Sequence, residues 1–349
     1  MRIWMDALTP KQLIFLDAIR RGLVELGHDV FTTTRSYHDA TYVVQRLGLE
    51  ATFVGSHGGA DVGAKLEASL RRSLDLAKML QGRSFDIALS FSSPEAARVA
   101  YGLGIPHYAA NDSPHSVAVA RLTLPLSRLL FTPDIIPPSA WTKFGIGARG
   151  LRRYHAIDAA AWVKHPERWP QPNEVEKGAR HAIVVRLEES QASYLAGSDS
   201  DAVKMVLSLA DRFPERRIVL LTRYAEQDRL FGRMGGNTVV CETPYFGVNL
   251  ITEAALLVGR GGTMNAEAAL LGVPTISYFP GRPTYIDRYL EGEKVLSLVK
   301  DDAEMMAAAV RLLGDRKGAA SLKKRAKALL DSMVDPGEFI AGEIDHVSI

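Results

Sequence analysis

The stretch Gly259-Arg260-Gly261-Gly262-Thr263 has the residue types that suggest chemistry most directly. It follows the apolar run Leu256-Leu257-Val258, which reads as a buried parallel strand. After it comes an alanine-rich helix from about Met264 to Leu271, stopped by Gly272, and then another apolar strand over Pro274 to Tyr278. Two adjacent glycines and a hydroxyl therefore sit where a strand hands over to a helix. Free backbone N–H groups and the positive helix end attract phosphate there, and glycine leaves the approach open. Glu267, on the first turns, can accept the two hydrogen bonds that a ribose diol offers. Gly261, Gly262, Thr263, Met264 and Glu267 are thus candidates for holding a nucleotide. The competing reading is a tight turn with a glutamate favoured by the helix dipole.

Two further groups lie at strand ends. Asn111-Asp112-Ser113-Pro114-His115 follows an apolar strand over Ile105 to Ala109. Asp112 and His115 are candidate acid–base residues, since imidazole titrates near neutrality and a carboxylate can orient it or act itself. Equally, Asp112 or Ser113 could cap the following helix. Asp6, ending the first strand, could join them; His57 in a glycine-rich loop is a second candidate, and His28 reads as structural. Arg186, after a strand from Ala182, is a planar donor suited to a diphosphate, or else one half of a surface ion pair. No HExxH, GxSxG or Walker sequence occurs, and the first strand–helix turn lacks GxGxxG. His107 and His115 are not at ligand spacing, so no metal is expected.

The elements that must position these residues alternate between strand and helix through both halves, an α/β pattern with ligands expected at the carboxyl ends of parallel strands. At 349 residues the chain fits two domains. The expected division is 1–165, a polar proline-containing linker 166–177, a second domain 178–335, and a tail 336–349 packing back on the first. A net charge of +2 predicts no broad affinity for nucleic acid. The single Cys241 excludes a disulfide framework and a cysteine zinc site, and suits a reducing cytoplasm. The chain opens on a strand, Arg2 to Met5, without a signal-peptide pattern, and no apolar run approaches the ~20 residues of a membrane span. The section from Arg121 to Arg153 combines Arg121, Arg128, Lys143, Arg149, Arg152 and Arg153 against Asp134 with apolar residues from Val117 to Phe131. It reads either as a core helix with solvated charges or as a patch facing a membrane or an acceptor phosphate.

The segments IWMDALTP, GHDVFTTTR, NDSPHS, VVRLEES and GRGGTMNAEAALLGVPTIS give the chain a resemblance to the largely archaeal DUF354 family over most of its length. The turn with Glu267 and Gly272 is also similar to the nucleotide-binding segment of GT-B glycosyltransferases, including the MurG type, and of non-hydrolysing UDP-GlcNAc 2-epimerases. The resemblance implies a GT-B fold: two Rossmann-like domains with parallel sheets facing across a cleft. It implies a metal-independent glycosyltransferase-like enzyme that takes a nucleotide-sugar, a UDP-sugar by preference, as substrate and needs no cofactor. Arg186 would lie near the phosphates, Arg223 and Phe246 near the base, and Asp112 or His115 would be the base acting on a lipid-linked or small acceptor. A lipid-linked acceptor would bring residues 121–153 to the inner membrane surface. An epimerase is the alternative. Against it, those enzymes carry a GTRPE-type loop where this chain has Asp6-Ala7-Leu8-Thr9-Pro10, and Arg186-Leu187-Glu188-Glu189 only partly echoes their His-Arg-Arg-Glu run. A non-catalytic nucleotide-sugar-binding protein is the third possibility.

Overall fold

The computed structural model describes residues 1–36, 38–59, 61–187, 199–222, 231, 236–241, 243–278 and 282–346. It divides into two compact units, Met1–His165 with Met333–Ile349, and Pro166–Ser332.

The first unit is built on seven parallel strands: β1 (Arg2–Ala7), β2 (Asp29–Ser36), β3 (Thr52–Ser56), β4 (Ile87–Ser90), β5 (His107–Ala110), β6 (Leu129–Pro133) and β7 (Leu151–Tyr154). Their order is β3-β2-β1-β4-β5-β6-β7. β1 sits mid-sheet with Ile3, Trp4 and Met5 wholly buried, as expected of a strand covered on both faces. Asp6, next to its last residue, is buried too. Arg72 binds it through both guanidinium nitrogens, at 2.5 and 3.1 Å, and Thr33 Oγ1 donates to it at 2.6 Å. Asp6 therefore locks the helix Val62–Leu80 to the sheet and does not join Asp112. That helix begins at Val62, where the Asp61 side chain accepts from the Ala64 N–H and caps it.

Between residues 121 and 153 the chain forms the strands β6 and β7 with short helical segments before and between them, rather than one core helix. Leu124, Leu130 and Phe131 are fully buried, and Ala120, Leu124, Leu130, Ile136 and Trp141 pack into one cluster. The apolar residues of this section thus mostly make core. Arg121, Arg128, Lys143, Arg149 and Arg153 remain exposed, while Arg152 pairs with Glu343 at 3.0 Å. The last helix, Pro336–His346, packs on the first, Pro10–Glu25, through small residues. A Cβ on Gly22 would lie 2.8 Å from Ala341 Cβ, and one on Gly337 would lie 3.0 Å from the Ala18 backbone.

The second unit has six parallel strands: β8 (Ile183–Arg186), β9 (Ile218–Leu221), β10 (Thr238–Val240), β11 (Leu256–Gly259), β12 (Thr275–Ser277) and β13 (Ser297–Leu298), ordered β10-β9-β8-β11-β12-β13. Ile183, Val185, Leu256, Val258 and Ile276 point to one core; Val184, Leu257 and Ala268 point to another on the opposite face. Residues 166–177 belong to this unit. They include the helix Glu174–Lys177, closed by a capping box between Asn173 and Glu176. Glu176 is buried and accepts from the Phe246 N–H at 2.7 Å and from Asn249 Nδ2 at 3.1 Å.

Candidate functional site at the strand ends

In the second unit the β11 strand ends at Gly259, whose register partners are Arg186 on β8 and Ser277 on β12. Residues paired directly across parallel strands share a sheet face, so Arg186, Gly259 and Ser277 form one row at the carboxyl edge of the sheet. Gly261 and Gly262 follow with φ of 95° and 103°, a backbone that favours glycine. The helix Thr263–Leu270 then starts at Thr263, one residue before the expected Met264, with Gly262 at its N-cap and no capping side chain. Gly261, Thr263 and Met264 are partly exposed and Gly262 is exposed, so the turn is open to solvent.

Asn265, which the sequence reading passed over, lies in the same place. It is buried, and its Oδ1 sits 1.8 Å from where a Cβ on Gly259 would be. Its amide oxygen and nitrogen, the Arg186 Nε and the Ser277 Oγ are all buried without a hydrogen-bond partner among the described residues. One guanidinium nitrogen of Arg186 donates to the carbonyls of Thr222 (2.9 Å) and Leu221 (3.4 Å), and its charge lies 5.9 Å from the Tyr245 ring centroid. Arg186 is thus a buried residue at a strand end and not half of a surface ion pair. Buried polar groups are as a rule completed by a hydrogen-bond partner, so these atoms mark where polar chemistry gathers at the strand ends.

Glu267 stands on the first turns of the helix Thr263–Leu270. It is only 5% exposed, and its Oε2 lies 3.0 Å from the Cβ position of Gly247, at the start of the helix Gly247–Thr252. Phe246 is buried, with its N–H on Glu176 and its carbonyl accepting from Leu250, so it presents no face to a base in this structure. Arg223 lies outside the described residues.

In the first unit Asp112 has partners that the sequence reading did not foresee. Lys11, in the first turn of the helix Pro10–Glu25, binds it and also binds Asp158 at 2.9 Å. Tyr154, at the end of β7, donates to Asp158 at 2.6 Å, and the Lys11 ammonium stands 4.4 Å from the Phe91 ring centroid. Burial opposes every charge here. Asp112 is nevertheless held below the usual carboxylate range, because the Lys11 charge and hydrogen bond, with a hydrogen bond from Ser113, outweigh burial. Burial, and then the Asp112 charge, push Asp158 up to about 7. Burial alone would lower Lys11, but the two carboxylates overcome it and raise its pKa. The two carboxyls, with the Lys11 ammonium between them, therefore titrate as one coupled group, its proton affinity raised on the Asp158 side. His115 is exposed. His107 is buried between Ser90 Oγ and Ser127 Oγ, each at 2.8 Å, and burial lowers it to about 4, so it is a neutral packing residue.

Among the described residues one group has metal-ligand types, His165, Asp335 and Glu338. Asp335 is already engaged there, pairing with His165 and accepting from the Gly337 and Glu338 N–H groups to start the last helix.

Two Rossmann-like units with parallel sheets in a single chain, each with polar residues at its carboxyl strand ends, define the GT-B class of fold. Within it, the chain belongs to the family described as "Protein of unknown function (DUF354)", whose model matches residues 1–337. An uncharacterised protein of Methanocaldococcus jannaschii is 24% identical over 330 residues, covering 92% of this chain and 94% of that one. Among solved structures, a UDP-GlcNAc 2-epimerase of Methanocaldococcus jannaschii in complex with UDP-GlcNAc and UDP is similar with a TM-score of 0.76 at 15% identity, over 100% of this chain and 99% of that one. A spinosyn forosaminyltransferase is similar with a TM-score of 0.66 at 14% identity, over the full length of both. At these identities the likeness is one of fold. No described helix is long and apolar enough to cross a membrane.

Proposed function

We propose that the protein is an enzyme acting on a nucleotide-sugar, and that it transfers the sugar of a UDP-sugar to a hydroxyl acceptor. The observation that carries this is the row Arg186–Gly259–Ser277, with Asn265 over it, beside an open Gly-Gly helix start. The backbone of Gly261, Gly262, Thr263 and Met264 and the Arg186 cation would take the diphosphate. They would stabilise it as it leaves, without a metal or a cofactor. Glu267 would take the ribose. Proton transfer falls to the first unit: Asp112 receives the acceptor proton within a group whose affinity for it is set by Lys11 and Asp158. Binding of UDP-GlcNAc by one neighbour and the glycosyltransferase name of another both support a nucleotide-sugar as substrate. The exposed arginines between 121 and 153 fit a phosphate-bearing acceptor, free or at a lipid surface.

The Lys11–Asp112–Asp158 group also favours a second reading, 2-epimerisation, because removing and returning a carbon-bound proton needs paired acid and base groups. NMR of UDP-GlcNAc with the enzyme in D₂O separates the two. A transferase leaves the sugar C2 proton in place and consumes donor only when an acceptor is added. Deuterium at C2 without acceptor would replace transfer by epimerisation. An unchanged donor across a full acceptor screen would remove the catalytic reading altogether.

A further inference from the structure

The helix Val62–Leu80 carries Val62, Leu66, Leu70 and Leu74 at four-residue spacing, and these are 79%, 61%, 62% and 55% exposed. The helix already has a core face, with Arg72, Leu76 and Leu80 buried against the sheet and its neighbours. The stripe is therefore additional. It runs ~18 Å along the helix at 1.5 Å per residue. Isolated exposed aliphatics need no explanation, but four in one row mark a surface that something covers.

Beside the stripe stand Glu67, Arg71, Asp75 and Lys78, all exposed. Their signs alternate and sum to zero, and Glu67 and Arg71 already pair at 2.6 Å. A helix face that lies on an anionic lipid surface carries an excess of cations, which this row lacks. An alternating row turned end for end instead meets its own opposite. In a two-fold antiparallel arrangement centred near Ser73, Glu67 faces Lys78 of the partner subunit and Arg71 faces Asp75 of the partner subunit. In the same register the two rows of aliphatics interleave, Leu74 of one copy falling between Leu70 and Leu74 of the other. Ridges at i±4 packing into each other are the commonest way helices meet, and a two-fold contact requires such a self-complementary face.

We propose that the Val62–Leu80 helix is the two-fold contact of a homodimer, with a second copy of this chain covering the stripe. Sedimentation equilibrium of the full chain should give twice its 38.2 kDa mass. Leu66→Glu with Leu70→Glu should halve that mass while leaving the circular dichroism spectrum unchanged. Arg71→Glu should weaken dimerisation at least about tenfold by setting like charges opposite, and adding Asp75→Arg should restore it. A geometric check needs no loss of fold. Cys241 is the chain's single cysteine and is buried, so Ser73→Cys adds one accessible thiol near the axis and should form a covalent dimer on mild oxidation. A monomeric wild type at tens of micromolar, a dimer that survives the double leucine substitution, or a dimer in which Ser73→Cys does not cross-link would each overturn the proposal. Co-sedimentation of a monomeric wild type with vesicles would overturn it in favour of lipid.

Discussion

Asn265 and Gly259 act as a pair: the amide occupies the space that any larger residue at 259 would need. Gly259→Ala should therefore cost ~1–3 kcal/mol by overpacking, and much less in an Asn265→Ala background, as a double-mutant cycle in urea would measure. Equal costs in both backgrounds would mean that the two side chains do not share that space. The acid–base group makes a second prediction. Asp158 is raised to about 7 from an ordinary 3.8, so the folded state binds more protons than the unfolded one between those values. Its contribution to stability falls as pH rises through that window. Asp158→Asn removes this slope, so the variant should gain on the wild type between about pH 4 and pH 7 in denaturation experiments. It should also lose activity by roughly 10²–10⁴-fold with an altered acid limb in the pH–rate profile. A uniform stability offset with full activity would make Asp158 a plain packing residue. The glycine turn, Glu267 and Asp112 could be singled out in the sequence because their types and neighbours are distinctive. Asn265, Lys11 and Asp158 could not, because their significance comes from approaches made only after folding. The available hints were slight: one amide in the alanine-rich run MNAEAALL, and one acid before the apolar run AAAWV.

At the scale of elements, strands flanked by helices were legible wherever an apolar run ended in glycine or a polar turn. β6 and β7 were not. β6 reads LLFTP, mostly apolar as befits a strand buried on both faces, and short apolar runs do not distinguish strand from helix. β7 reads LRRY, and it tolerates two arginines because it lies at the edge of the sheet. The Val62–Leu80 helix starts at a cap, Asp61, that sits in a loop of small and polar residues and so leaves little signal in the sequence. What fastens that helix is the buried Asp6–Arg72 pair, in which the Asp6 charge overcomes burial to raise the pKa of Arg72. Asp6→Ala would leave a guanidinium buried without its carboxylate and should cost about 3–5 kcal/mol by urea denaturation. A loss below about 1 kcal/mol would show that water or Glu95, 4.0 Å from Arg72, takes over the role.

At the scale of the molecule, two parallel sheets were readable from alternation alone, because each strand–helix–strand step repeats the same apolar pattern. The nucleotide reading depends on one place in the second unit, where a backbone turn and three side chains with unmet hydrogen-bonding capacity meet. The most direct test is a thermal-shift titration with UDP, GDP, dTDP, CMP and their sugars, on the wild type and on Arg186→Ala with Asn265→Ala. At ~100 times its Kd one of them should stabilise the wild type by about 2.7 kcal/mol, a rise of several degrees. The double variant should remain folded and lose that rise. If no nucleotide at millimolar concentration moves the wild-type melting temperature, or if the double variant responds equally, the nucleotide-sugar account of this protein is wrong.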